Sequence, residues 1–148
     1  MANVKFLVGS TYGNAQQVAE DASDQLEQLG HQSEVLNRAT VDDVISVETD
    51  LLIICTATIG EGEIPDNLLP LYSQLRDQCP LLPHLKYAVI ALGDSSYDRF
   101  ADGGRQMDEL MQELQAVSAH EVLLIDACET PDPEEAVSEW VGLLHLKL

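Results

Sequence analysis

Residues 9–20 read GSTYGNAQQVAE, directly after the short apolar run VKFLV at Val4–Val8. Small hydroxyl, glycine and amide residues run straight into a helical pattern. A helix N-terminus offers unpaired N–H groups and the positive end of the helix dipole, which together attract an anion. Ser10, Thr11 and Asn14 add side-chain donors, and Gly13 lets the backbone approach closely. The segment holds no lysine or arginine, so an anion would be held there by hydrogen bonds alone. On a chain of net charge −19, that anion must also be shielded from the remaining acids. An ordinary capped helix uses several of the same residue types, so the first loop alone leaves both readings open. It contains neither the GxxxxGK[ST] nor the GxGxxG phosphate pattern. It also lacks the acidic pair that a phospho-acceptor domain carries after its first strand.

Two further loops share this character. TATIGEGEIPDN, residues 56–67, brackets Glu61 between Gly60 and Gly62, and Pro65 opens the next helix. LGDSSYDRFADGG, residues 92–104, sets Tyr97 and Phe100 among small polar residues. Three loops of this kind on one edge, with glycines for backbone approach and an aromatic, suggest a flat polar ring clasped beyond a phosphate. No nucleophile–base pair accompanies them, which argues against hydrolysis. His31, His84, His120 and His145 lie near none of the three loops and are assigned no chemistry.

The elements that must position these loops are visible as apolar runs. Val4–Val8, Leu51–Cys55, Tyr87–Leu92 and Val122–Ile125 are short and nearly continuous, as strands buried on both faces are. Ser33–Asn37 is a fifth, weaker strand nearer an edge. Helical stripes alternate with them: Val18, Ala22, Leu26 and Leu29 before Gly30; Leu68, Leu71, Tyr72 and Leu75 within Asp66–Leu75; Met107, Leu110, Met111 and Leu114; and Val137, Trp140, Val141 and Leu144 after Pro131 and Pro133. A short helix is expected near Val41–Val47. Five strand–helix alternations predict a parallel sheet with helices on both faces and right-handed crossovers. Ligands of such sheets bind beyond the carboxyl ends of the strands, where the strand order reverses, and that is where all three loops fall.

The chain is 148 residues long, one domain spanning 1–148, with 26 acids against 7 Lys and Arg. That balance excludes nucleic acid, whose binding depends on basic contacts, and an anionic membrane surface. Two readings of the acidity stay open: a basic protein partner, because opposite fields speed encounter, and a charge that only keeps the chain soluble. Cys55, Cys79 and Cys128 have no metal-like spacing, and their odd number fits a reducing cytoplasm. Cys55 ends an apolar run and reads as core. No signal peptide is expected from MANVKFLV, and no apolar run approaches membrane-spanning length.

Together the three motifs resemble the flavodoxins, FMN-binding electron carriers, along essentially the whole chain. GSTYGNA is similar to the family's phosphate loop. TATIGEGEIPDN is similar to the loop before the isoalloxazine ring, in the TxGEG form of diflavin reductase domains. ALGDSSYDRF resembles the third loop, whose Tyr stacks on the flavin. Length and motif combination look most like the short-chain, stand-alone MioC/YqcA type. The resemblance implies an α/β three-layer sandwich with a five-stranded parallel sheet of order 2-1-3-4-5, binding one non-covalent FMN. Ser10, Thr11, Gly13 and Asn14 would hold the 5′-phosphate, with backbone amides from Tyr12 through Ala15. Thr56, Thr58, Ile59 and Gly60, with Glu61, would line one side of the ring; the Gly60 carbonyl would turn toward flavin N5. Leu92, Gly93, Asp94 and Tyr97 would line the other side, and Phe100 would support that loop. Tyr12, Ala15 and Ile59 depart from the usual flavodoxin residues and imply a weaker hold on FMN.

The expected role is a cytoplasmic, monomeric carrier of single electrons from an NADPH-dependent, flavodoxin-type reductase to an acceptor enzyme. Glu61, Glu63, Asp94, Asp98 and Asp102 would offer a docking face to basic-faced partners. The chain itself would not be an enzyme. The alternatives are an FMN-dependent quinone or nitro reductase, and a flavin-binding regulatory module without net electron flow.

Overall fold

The computed structural model describes residues 2–10, 13–58, 62–93, 101–126 and 132–148. Six strands, β1 (Asn3–Gly9), β2 (Gln32–Leu36), β3 (Leu51–Thr56), β4 (Lys86–Gly93), β5 (Val117–Ser118) and β6 (Leu123–Asp126), form one parallel sheet. The order is β2-β1-β3-β4, with β5 and β6 both pairing with β4. Five helices alternate with them: α1 (Asn14–Gln28), α2 (Val41–Ile45), α3 (Leu69–Gln78), α4 (Asp102–Glu113) and α5 (Pro133–His145).

The near-continuous apolar runs are explained by burial on both faces. In β1, Val4, Phe6 and Val8 face a cluster with α1 and α5, while Leu7 faces one with α2, α3 and α4. β3 divides in the same way: Leu51, Ile53 and Cys55 point to the first layer, Leu52 and Ile54 to the second. Side chains alternate across a strand, so a strand covered on both sides needs apolar residues at every position.

The expected order 2-1-3-4-5 is present, with one addition. The fifth position is shared by two segments rather than one continuous strand. β5 pairs beside Lys86 and Tyr87, and β6 beside Ile90–Gly93. Between them the His120 ring turns inward, tilted against Trp140 at 5.0 Å between ring centroids. Trp140 Nε1–H donates to the Glu121 carbonyl at 2.8 Å, which commits that carbonyl to a side chain.

α1 also differs in detail from its expected stripe. Its buried residues are Ala15, Ala19, Ala22, Ser23 and Leu26, while Leu29 is largely exposed. Small residues let this helix lie close to the sheet and against α5. The other stripes are buried as expected, with Leu71 and Leu75 in α3, Met107 and Leu110 in α4, and Val137 and Trp140 in α5. Among the described residues, no helix is long and apolar enough to cross a membrane.

Candidate functional site

The strands end together. Gly9 is in register with Thr56, Thr56 with Ala91, and Gly93 with Asp126, so the connecting loops share one end of the sheet. Gly13 lies there in the left-handed region (φ +89°) and caps α1 without a side-chain cap. A non-glycine residue adopts that conformation only at a cost. The Gly13 N–H donates to Ser10 Oγ at 2.9 Å, which leaves the Ser10 hydroxyl proton free to point elsewhere. No acidic residue occupies the first turn of α1. In contrast, α2 carries Asp42 and Asp43, α4 carries Asp102, and α5 carries Glu134 and Glu135.

A pocket of about 280 Å³ opens at this point, lined by Ser10, Gly13, Gln16, Asn37, Arg38 and Asn67. Among the described lining residues there is no carboxylate, in a chain with 26 of them. Asn67 holds its walls together. Its Oδ1 accepts from the Ser10 N–H at 2.9 Å. Its Nδ2 donates to the Val8 carbonyl at 2.8 Å and to the Asn37 carbonyl at 2.9 Å. One side chain from the β3–α3 connection therefore ties the first loop, the end of β1 and the end of β2.

Four of the six lining residues were not expected from the sequence: Gln16, Asn37, Arg38 and Asn67. Arg38 brings a cation to the lining of this pocket. The loop has no cation of its own, but the neighbouring strand supplies one. Strand order 2-1 was the available clue, because it sets whatever follows β2 beside the loop after β1.

The remaining expected residues are placed as follows. Asn14 is the exposed first residue of α1, and Ala15 is fully buried, its carbonyl 3.4 Å from the Cys55 thiol. The buried Ala15 side chain faces the core, where a hydroxyl would need a partner. Thr56 is fully buried, and its hydroxyl donates to the Ala57 carbonyl at 2.9 Å. It packs under Gly9, where an added Cβ would stand 2.3 Å from Thr56 Oγ1. Thr58 Oγ1 accepts from the Gly103 N–H at 2.9 Å, which docks the start of α4 against the second loop. Gln106 reinforces that joint by donating to the Gly62 carbonyl. Leu92 and Gly93 end β4. Thr11, Tyr12, Ile59, Gly60, Glu61, Asp94, Tyr97 and Phe100 lie outside the described residues, as do Asp98 and Cys128.

Asp102 does not belong to an acidic docking face. It is only 4% exposed and paired with the largely exposed Arg105. Glu63 is exposed. Cys55 is core, and burial pushes its thiol well above the ordinary range, which keeps it protonated and unreactive. No group of three or more His, Cys, Asp or Glu capable of holding a metal occurs among the described residues.

An open parallel sheet of order 2-1-3-4-5 with an acid-free helix N-terminus at its carboxyl edge defines a flavodoxin-like α/β protein. The sequence model of the flavodoxin family matches residues 7–140. Flavodoxin YqcA of Escherichia coli (strain K12) is 41% identical over 141 residues, 95% of each chain. Protein MioC of the same strain is 31% identical over 142 residues, covering 96% of this chain and 95% of that one. A solved structure, that of a cysteine-to-serine mutant of flavodoxin from Pseudomonas aeruginosa, superposes with a TM-score of 0.90 at 39% identity, over 99% of this chain and 98% of that one. The chain belongs to the flavodoxin family, whose members are electron-transfer flavoproteins rather than enzymes.

Proposed function

We propose that this chain binds one non-covalent FMN and carries single electrons from a flavodoxin-type reductase to an acceptor enzyme in the cytoplasm. One observation carries the reading: the pocket at the start of α1, built from a free hydroxyl, an uncapped helix N-terminus and amide side chains, and without a carboxylate among its described residues. A phosphate monoester fits that donor set, and hydrogen bonds to a charged group are the strong ones. Ser10, Gly13, Asn14 and Ala15 would hold the phosphate, joined by Thr11 and Tyr12. Thr58, Ile59, Gly60 and Glu61 would lie along one side of the ring. Gly93, Asp94 and Tyr97 would lie along the other, backed by Phe100. The buried hydroxyl of Thr56 would support its side of the ring from beneath, and Leu92 would support the other.

When bound, FMN supplies the redox chemistry. The chain's task is to anchor the phosphate, exclude water from one edge of the ring and leave the other edge open to a partner. Exposed acids such as Glu63 would steer a basic partner toward that edge.

Titration of the apoprotein with FMN and with riboflavin tests the anchor. The expected result is strong quenching by FMN and little by riboflavin; equal affinities would remove the phosphate site. The FMN-loaded protein, mixed with NADPH alone and then with NADPH and a flavodoxin-type reductase, tests the role. Reduction is expected only with the reductase, and slower as salt rises. Direct oxidation of NADPH with turnover of a quinone would make the chain an enzyme instead.

A further inference from the structure

Seven cations serve this chain against 26 acids, so the placement of each one matters. Lys5 reaches Asp43, and Arg105 pairs with Asp102. Arg76 lies over the Tyr72 ring at 5.6 Å from its centroid, and Lys147 contacts His120 Nδ1 at 2.8 Å. Arg38 and Lys86 have no such contact among the described residues, and Arg38 lines a pocket.

That pocket is the one at the start of α1. The Asn37 carbonyl is held by Asn67 Nδ2, and the same Asn67 side chain holds the Ser10 N–H. The backbone just before Arg38 and the backbone of the first loop are therefore fixed to one another through a single amide. Arg38 lines this pocket together with Ser10, Gly13 and Gln16, and no acid is among the described lining residues.

We infer that Arg38 is the cationic partner of the ligand's phosphate and sets the preference of this site for a phosphorylated flavin over an unphosphorylated one. The inference rests on the FMN reading above and adds to it a residue from outside the three loop motifs. It follows from charge. A phosphate dianion entering a field of −19 meets a repulsion that hydrogen bonds from neutral groups offset only in part, whereas a guanidinium at contact offsets it directly. The side chain is exposed, so its contribution is screened by salt. Its removal leaves no buried group unpaired, so the variant folds.

The test compares wild type, Arg38→Lys and Arg38→Gln, each as apoprotein. FMN and riboflavin are titrated by fluorescence at low and high salt, and inorganic phosphate by ³¹P NMR. For Arg38→Gln, FMN binding weakens about tenfold at low salt, the effect of one charge-assisted contact. Riboflavin binding stays unchanged, Arg38→Lys falls between, and the salt dependence of FMN binding becomes shallower. Phosphate binds wild type and is lost from Arg38→Gln. An unchanged FMN affinity in Arg38→Gln overturns the inference, as does an equal loss for both flavins. If wild type binds neither flavin, the proposed function fails by itself. The phosphate arm then decides: binding that depends on Arg38 upholds the anion partner, and its absence overturns it.

Discussion

Helices α1 and α5 lie side by side on the same face of the sheet and begin at the same end, yet their N-termini are built in opposite ways. α5 supplies its own needs. Asp132 caps it by accepting from the Glu135 N–H at 3.2 Å, Pro133 opens it, and Glu134 and Glu135 sit against the positive end of its dipole. α1 has none of this: a left-handed glycine, no side-chain cap and no acid in its first turn. Capping and dipole complementation each stabilise a helix by about 0.3–2 kcal/mol. α1 forgoes that stabilisation where a pocket opens, and α5 takes it. The unsatisfied start of α1 is thus a local cost consistent with a ligand, because an anion would meet the same groups.

The far ends of the same two helices reverse the contrast. There the chain leaves little open. The Ala2 N–H donates to His31 Nδ1 at 3.0 Å, which makes that nitrogen an acceptor and puts the neutral ring's proton on Nε2. His31 Nε2–H then faces His145 Nδ1 at 2.8 Å, at the end of α5. α1 is open where it starts, and both helices are tied where they finish.

The largest change is expected from Asn67→Ala, which unties the open end. It removes the acceptor of the Ser10 N–H and the donor to the Val8 and Asn37 carbonyls. At roughly 1 kcal/mol for each partly exposed hydrogen bond, denaturant unfolding should show a loss of about 2–3 kcal/mol. FMN binding should weaken as well, because both pocket walls are released. A variant equally destabilised but with unchanged FMN affinity would show that Asn67 only holds the fold, and that the pocket walls need no alignment.

Asn67 also marks how far the sequence could be read. The strands and helices were legible because burial on both faces leaves continuous apolar runs, and the order 2-1-3-4-5 came from the resemblance to the flavodoxins. The first loop stood out by its glycine, hydroxyl and amide residues at a helix start, although an ordinary capped helix uses several of the same types. Asn67 ends the second loop, and nothing in its local sequence gives it a role. Its three partners lie far away in sequence and meet only through strand adjacency. Arg38 was missed for the same reason. The split between β5 and β6 was hidden because it depends on His120 turning inward and Trp140 capturing the Glu121 carbonyl, contacts with no local pattern. Asp102 looked like one more surface acid, and only its burial beside Arg105 shows otherwise.

A smaller effect is expected at the tied end, and it depends on pH. Burial lowers the His31 pKa below its ordinary 6.5, with the adjacent His145 acting in the same direction. His120 is lowered too, first by burial and then by Lys147. The folded chain therefore holds these rings neutral where the unfolded chain would already protonate them. Stability is fully present above about pH 6.5 and is lost as pH falls below it, because there the unfolded state binds more protons. Protonation of His31 would also displace the Ala2 N–H from Nδ1. His31→Asn keeps an acceptor near that position and removes the titration. Urea unfolding between about pH 7 and pH 5 should show a shallower loss for the variant than for wild type. Parallel curves would show that the His31–His145 contact is indifferent to protonation. FMN affinity, set at the opposite end, should respond to His31→Asn at neither pH.

The smallest expected change in stability has the opposite sign, and it tests the comparison most directly. Asn14→Asp gives α1 what α5 already has, an acid in the first turn. Asn14 is exposed, and Val18 one turn later carries no charge, so no like-charge neighbour on the helix cancels the gain. The apoprotein should become more stable by about 0.3–1 kcal/mol, more so at low salt. FMN binding should weaken in the same variant, because the new carboxylate takes the position of the phosphate at the dipole and repels it. Asn14→Ala separates the two contributions: it removes the side-chain donor without adding charge, and should weaken FMN less than Asn14→Asp while giving no stabilisation. Thermal melts of the apoproteins and flavin titrations of all three chains decide it. If Asn14→Asp stabilises the apoprotein and binds FMN as wild type does, the open start of α1 is not where the phosphate sits. If it gains no stability, the missing acid was never a cost, and the contrast between the two helices carries no functional meaning.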